Sequence, residues 1–337
     1  MRLLRYVIRR LLLLVPVLLG ALFIAFVLTR IVPGDPIGRV AGPYASQETR
    51  DALRHEARLD RPVYVQYAYY LDDLAHGNFG DSFYTGQSVK SDLKSRFPAT
   101  LELVLYGMLL AIVLAIPLGM ISALKRGAPV DHVSRVLSVL GVSVPIFWIG
   151  LVLLTIFYNK LNWLPGPTGR LPIGMEEPPT ITGLYTIDAA LHGQWDVWWA
   201  AVEALILPVV TIGIVAMAPI ARMTRSTMID ALDSDYVRTA RSLGIPNRVI
   251  VLHHAFKNAI LPVLTLIAAV FGFLIGGEVL VEIIFSWNGL GLYSYNAILN
   301  SDFPAVQGFI LLVTAIYILI YLAVDVLTAV IDPRVEF

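Results

Sequence analysis

The chain has no cysteine, so no segment in an oxidising compartment can be braced by a disulfide, and thiolate nucleophiles and thiolate metal sites are excluded. Charge is also scarce. Asp, Glu, Lys and Arg make up 15% of the 337 residues, against roughly 25% in soluble domains. Hydrophobic residues reach 57%, a balance that belongs in a bilayer. The formal net charge is +0, which leaves no global basic field to attract nucleic acid. No lysine follows a glycine, so a Walker-type phosphate loop cannot form; ATP that drives this protein must be bound, with its Mg, by another chain. Neither His-Glu-x-x-His nor Gly-x-Ser-x-Gly occurs, and the adjacent His253 and His254 project to different helix faces. The sequence therefore offers no catalytic or metal-binding motif and carries no cofactor of its own.

What it does contain is long apolar runs. The first, about 11–29, follows Arg2, Arg5, Arg9 and Arg10, has bilayer-spanning length and lacks a small-x-small cleavage site after it. It reads as an uncleaved transmembrane helix with its N-terminus inside. Five more runs follow at roughly 100–124, 136–157, 204–222, 259–285 and 306–331. Six spans put both termini on one side, and charge identifies that side. Fourteen basic residues fall on the segments that share it, while the two shorter loops opposite hold only Lys160 and Arg170. The expected fold class is an all-α integral membrane protein of six transmembrane helices with cytoplasmic N- and C-termini. Residues 1–30 form the N-terminus and first span, 31–99 an extracytoplasmic segment, and 100–337 the core, with a cytoplasmic loop at 223–258.

The extracytoplasmic segment opens with turn signals in Ile31–Pro36, then reads as two surface helices, 46–59 and 63–75. Its tyrosines (Tyr64, Tyr67, Tyr69, Tyr70) suit the headgroup zone, which favours a cap lying on the membrane. The second outer loop, 158–203, is rich in proline and flanked by Trp163, Trp195, Trp198 and Trp199, an interfacial rather than a compact segment.

The longest polar interruption in the second half runs from Asp233 to Pro262. Ser234 and Asp235 can cap a helix start, Gly244 can close its end, and Asp235 early with Arg238 and Arg241 late suits the helix dipole. Tyr236, Ala240 and Leu243 fall at i, i+4 and i+7 and are expected to share one face. A short capped helix with a semi-apolar face, held between two spans, has the character of a docking element.

These residues resemble the cytoplasmic loop of bacterial ABC-importer permeases in the form used by the dipeptide and oligopeptide subfamily. The resemblance rests on Asp235, Tyr236, Val237, Arg238, Thr239, Ala240, Arg241 and Gly244, then Asn258, Ala259, Leu261 and Pro262. Arg238 and Thr239 stand where the broader importer pattern has Glu and Ala, a habit of the peptide subfamily. Further stretches resemble the same subfamily: Pro33-Gly34-Asp35-Pro36, Gly77–Phe83, and Glu282, Ile284, Phe285, Ser286, Trp287, Gly289, Leu290 and Gly291. The closing Asp332, Pro333 and Arg334 also fit, so the likeness covers nearly the whole chain.

The resemblance implies a type I importer permease in the bacterial inner membrane. Such a chain pairs with a second, homologous permease subunit, docks nucleotide-binding ATPase subunits, and receives cargo from an extracytoplasmic binding protein. It implies that Asp235, Tyr236, Arg238, Thr239, Ala240, Arg241, Leu243 and Gly244 form the coupling helix, and that Glu282, Trp287, Gly289 and Gly291 lie at the outer mouth. Peptides are the implied cargo; nickel and glutathione permeases share the same plan.

Five prolines, Pro117, Pro145, Pro208, Pro219 and Pro262, interrupt or border the spans. Each frees a carbonyl, which suits either hinged helices lining a path or ordinary membrane-helix proline. Glu102, Glu278, Glu282 and Asp325 are the acids within the spans, the first three near outer ends where water is close. None lies deep enough for a proton relay. An ATP-independent channel or secondary transporter is the competing class, and it gives no reason for a cytoplasmic docking helix.

Overall fold

A computed structural model describes residues 2–31, 37, 41, 44–56 and 58–331. Pro33–Pro36 and Asp332–Arg334, two of the stretches singled out above, lie outside the described residues. Among the described residues the structure is helical, without strands; one isolated bridge joins Asp81 and Ser88.

α1 (Arg2–Ile31) is followed by two short helices, α2 (Gln47–Glu56) and α3 (Val63–Ala75). Ser46 caps α2, its hydroxyl accepting the Thr49 N–H at 3.2 Å. α3 lies against the C-terminal part of α1 through an aromatic cluster: Tyr67 meets Phe23 edge-on at 5.6 Å, and Tyr70 stacks on Phe26 at 5.8 Å. Two of the four tyrosines assigned to the headgroup zone are thus spent on helix packing, while Tyr64 and Tyr69 stay exposed.

α4 (Val89–Leu124) and α8 (Trp195–Leu232) form the central pair. In lipid no hydrophobic drive brings helices together, so close packing must do it, and small residues allow the approach. A Cβ on Gly107 would stand 2.6 Å from Ile212 Cγ2, and one on Gly119 would stand 2.7 Å from the Ala221 carbonyl oxygen. Ala111, Ala115, Ala216 and Ala221 complete the buried seam.

α5 (Pro129–Ser143) and α6 (Ile146–Lys160) meet at 103°. The run 136–157 is therefore not one straight span. Val144, the residue before Pro145, is forced to extended backbone (φ −85°, ψ 126°), and Pro145 opens the next helix instead of hinging a continuous one. By contrast, helix continues through Pro117 in α4 and through Pro208 and Pro219 in α8.

After the short α7 (Tyr185–Leu191) and α8 come α9 (Asp235–Ser242), α10 (Asn247–Gly277), α11 (Val279–Ile284), α12 (Leu290–Leu299) and α13 (Phe303–Ile331). Pro262 lies inside α10, which also contains a π-helical stretch at Ile250–Ala255. Among the described residues, α4, α8, α10 and α13 are long and apolar enough to cross a membrane, and α5 with α6 makes a fifth if that bent pair is one span. The apolar stretch of α1 among these residues is shorter, Val15–Thr29.

Candidate functional site

The length of α8 decides where the polar loop stands. Its 38 residues extend roughly 57 Å at 1.5 Å per residue, against about 30 Å of hydrocarbon. The last turns of α8 therefore continue beyond the apolar window as a stalk, and α9 sits at its tip.

A buried pair stiffens this stalk. Asp131, near the start of α5, accepts Arg225 Nε at 2.6 Å and Arg225 Nη2 at 2.9 Å, a two-pronged contact. The remaining carboxylate lone pairs take the Ser122 hydroxyl at 2.6 Å and the Gly127 N–H at 3.0 Å. The end of α4, its turn, the start of α5 and the stalk are thereby tied at one carboxylate. Sequence reasoning missed this pair, since its members are 94 residues apart and no spacing rule joins them.

α9 follows a two-residue turn. Ser234 has the extended backbone of an N-cap (φ −71°, ψ 155°), but its hydroxyl donates back to the Ala231 carbonyl at 2.5 Å. The side-chain cap expected there is not made, because the last turn of α8 takes the hydroxyl. The other end closes as a Schellman turn. Gly244 has φ +75°, its N–H reaches the Arg241 carbonyl at 3.0 Å, and the Ile245 N–H reaches the Ala240 carbonyl at 3.2 Å.

Burial divides the eight residues of the expected coupling helix. Ala240 is 6% exposed and, with Val237, packs on Met228, Ala231, Ile250 and Ala255 in a small inner core. Tyr236 and Leu243 are 42% and 73% exposed, and Asp235, Arg238, Thr239, Arg241 and Gly244 are exposed as well. The expectation of one face shared by Tyr236, Ala240 and Leu243 thus needs correction. Residues seven apart nearly eclipse on a helix, whereas the fourth lies about 40° round; here that turn brings Ala240 onto the chain's own core. The outward apolar residues are Tyr236 and Leu243, extended by Val249 and Leu252 beyond the turn. Arg238 pairs with Asp235 at 3.2 Å, and Arg126 reaches Asp233 at 3.7 Å, both in solvent.

The π-helical stretch Ile250–Ala255 lies directly behind α9, where Ile250, Val251 and Ala255 form the far wall of the inner core. Such stretches put one extra residue into a helix and cluster at functional positions. α9 is therefore packed on the first turns of α10 as well as on the stalk.

At the opposite end, the four expected outer-mouth residues are a buried latch rather than an exposed rim. Glu282 is 0% exposed and Trp287 1% exposed. The Thr100 hydroxyl donates to Glu282 Oε1 at 2.5 Å, the Leu292 N–H donates to Oε2 at 2.8 Å, and Trp287 Nε1 donates to the Ala99 carbonyl at 2.9 Å. A Cβ on Gly289 would collide with Glu282 Oε1 and Thr100 Oγ1. This latch fastens the α11–α12 turn to α4. The burial was not legible beforehand, because Thr100 is an ordinary residue in sequence.

A second knot stands beside it. Glu102, 1% exposed, accepts Arg170 Nη2 at 2.6 Å and both the N–H and hydroxyl of Thr186, at 2.8 and 2.6 Å. Arg170 lies 3.4 Å above the Tyr185 ring. Glu102 and Glu282 are therefore structural acids shielded from water, not groups at a wet helix end. Burial pushes the nearby Asp188 carboxyl up. The Thr182 N–H and hydroxyl, with the Gly183 and Ile181 N–H groups, outweigh it and leave the carboxyl below its ordinary range.

The site thus combines an exposed apolar-and-basic tip, a stiff stalk and a hydrogen-bonded opposite end. Residues 115–337 match the family described as binding-protein-dependent transport system inner membrane component, and residues 3–104 match the N-terminal family of the same systems. The chain is 42% identical over 322 residues to a probable D,D-dipeptide transport system permease protein of Escherichia coli (strain K12), covering 96% of this chain and 94% of that one. It is 40% identical to a dipeptide transport system permease protein of Alkalihalophilus pseudofirmus, over 99% of this chain and 100% of the relative. A glutathione transport system permease protein of Escherichia coli (strain K12) is 35% identical over 99% of each. The chain accordingly belongs to the binding-protein-dependent transport system inner membrane components, a family of multi-pass transport subunits rather than enzymes.

Proposed function

We propose that this chain is the permease subunit of an ATP-driven importer of short peptides, crossing the inner membrane six times with both termini in the cytoplasm. It encloses half of the translocation path, and a second, homologous permease subunit encloses the other half. Two nucleotide-binding subunits hold ATP and Mg, and a binding protein delivers cargo from outside. The observation that carries the reading is α9: a helix at the tip of a stalk, with Tyr236 and Leu243 turned outward among Arg238 and Arg241. Closure of the ATPase dimer would push α9 as a rigid body and move α8 and α10, which share its inner core. The hinge roles of Pro117, Pro208, Pro219 and Pro262 belong to this motion, with Pro145 as a fixed corner. Peptide cargo is favoured by two relatives whose names specify dipeptides; glutathione, named for the third, is itself a modified tripeptide.

The test is to purify the tagged chain from membranes and assay ATP hydrolysis with peptide-loaded and empty binding protein. Recovery of nucleotide-binding subunits and a second permease, with hydrolysis raised by peptide, supports the reading. Recovery of this chain alone, with uptake intact in vesicles lacking ATP, overturns it in favour of a channel.

A further inference from the structure

A groove of about 450 Å³ runs between the first turns of α4 and the upper part of α13. Its cause is a pinch above it. A Cβ on Gly308 of α13 would stand 2.5 Å from Val89 Cγ1, so the helices touch there, and Phe79 fills the same corner. Below the pinch the walls are apolar: Leu93 and Phe97 on α4, and Leu311, Leu312 and Ala315 on α13. The polar side chains on the lining are Lys90 and Lys94. They stand one helical turn apart on the same face of α4, both exposed, and neither forms an ion pair with a described residue. The Lys90 ammonium is folded over the Gly77 turn, 3.7 Å from where a Cβ there would be.

We propose that this groove binds one anionic phospholipid, its acyl chain between α4 and α13 and its phosphate held by Lys90 and Lys94. Position and charge select this occupant. α4 and α13 are both apolar enough to span a membrane, and the apolar run of α4 begins near residue 100. The lysines therefore stand before the apolar run of α4, in the headgroup zone, while Leu311, Leu312 and Ala315 lie within the apolar run of α13 and lead the groove toward the hydrocarbon. Apolar walls favour an apolar filler, and two cations at the mouth with no ion pair among the described residues favour negative charge. A lipid tail with an anionic head meets both conditions. The leaflet, but not the binding chemistry, rests on the six-span topology proposed above; that topology makes it the outer one.

The test uses the purified complex, delipidated and titrated with phosphatidylglycerol or phosphatidylcholine of identical acyl chains, with bound lipid read by native mass spectrometry. The parent should prefer phosphatidylglycerol. K90Q/K94Q should weaken phosphatidylglycerol by roughly 30-fold, the product of two basic contacts at an anionic surface, and weaken zwitterionic phosphatidylcholine much less, so that the preference is lost. Ala315→Phe, which fills the groove with both lysines present, should weaken both lipids. No preference in the parent, or full preference in K90Q/K94Q, overturns the proposal. So does efficient cross-linking of Leu312→Cys to another subunit, which would place protein in the groove; the absence of native cysteine makes that readout clean. Failure of the ATPase subunits to co-purify would overturn the importer reading alone, since lipid preference is still measurable on this chain.

Discussion

Replacing Arg225 with methionine leaves Asp131 with a negative charge at 2% side-chain exposure and two of its four donors gone. Breaking a buried pair by removing one partner costs about 3–5 kcal/mol, because the surviving charge is desolvated without compensation. Two features place this site at the lower end. Arg225 is 22% exposed, so water can reach the vacated space, and Ser122 and Gly127 still donate. The expected loss is about 3 kcal/mol. Asp131→Asn combined with Arg225→Met removes the stranded charge as well, and should recover about 2 kcal/mol of that loss as a coupling energy. The assay is reversible unfolding of the purified chain in mixed micelles, run as a double-mutant cycle. Additive losses would refute the reasoning, as would an Arg225→Met protein as stable as the parent. Loss of the pair also frees the stalk from α5, so a complex carrying Arg225→Met should show weaker stimulation of ATP hydrolysis by peptide while keeping its partner subunits.

Three further outcomes follow from the geometry. Leu243→Asp, on the exposed side of α9, should release the ATPase on co-purification with the melting temperature unchanged; Ala240→Glu should lower that temperature, because it puts a charge into the inner core. The reverse pattern would show that the docking face is misassigned. Gly289→Ala should cost about 1–3 kcal/mol by overpacking against Glu282 and Thr100, measured as denaturant stability, and unchanged stability would dissolve the latch. For Asp188, whose carboxyl is held below its ordinary range, the stabilisation is fully present above the unfolded value and lost as pH falls through the folded one. Asp188→Asn should therefore unfold more easily than the parent at pH 7, and the difference should shrink below about pH 4; a pH-independent gap would refute the assignment.

The sequence alone determined the chemical class of this protein. Apolar runs, scarce charge and missing catalytic motifs are properties of composition and local pattern, and they need no contact information. The Gly244 turn was legible for the same reason: a helix end is a local event, and glycine is the residue that takes positive φ without strain. Tertiary structure decided everything that depends on which face is covered. Ala240 shares a stripe with Tyr236 and Leu243 in sequence, yet Ile250 and Ala255 lie beneath it and remove it from solvent. Glu102 and Glu282 read as acids at wet helix ends until Thr100, Arg170 and Thr186, distant in the chain, were seen to enclose them. Asp131 and Arg225 carry no mutual signal at all. Short-range periodicity records what a segment can do by itself; long-range packing chooses which of its polar groups are shielded and which are left to meet a partner.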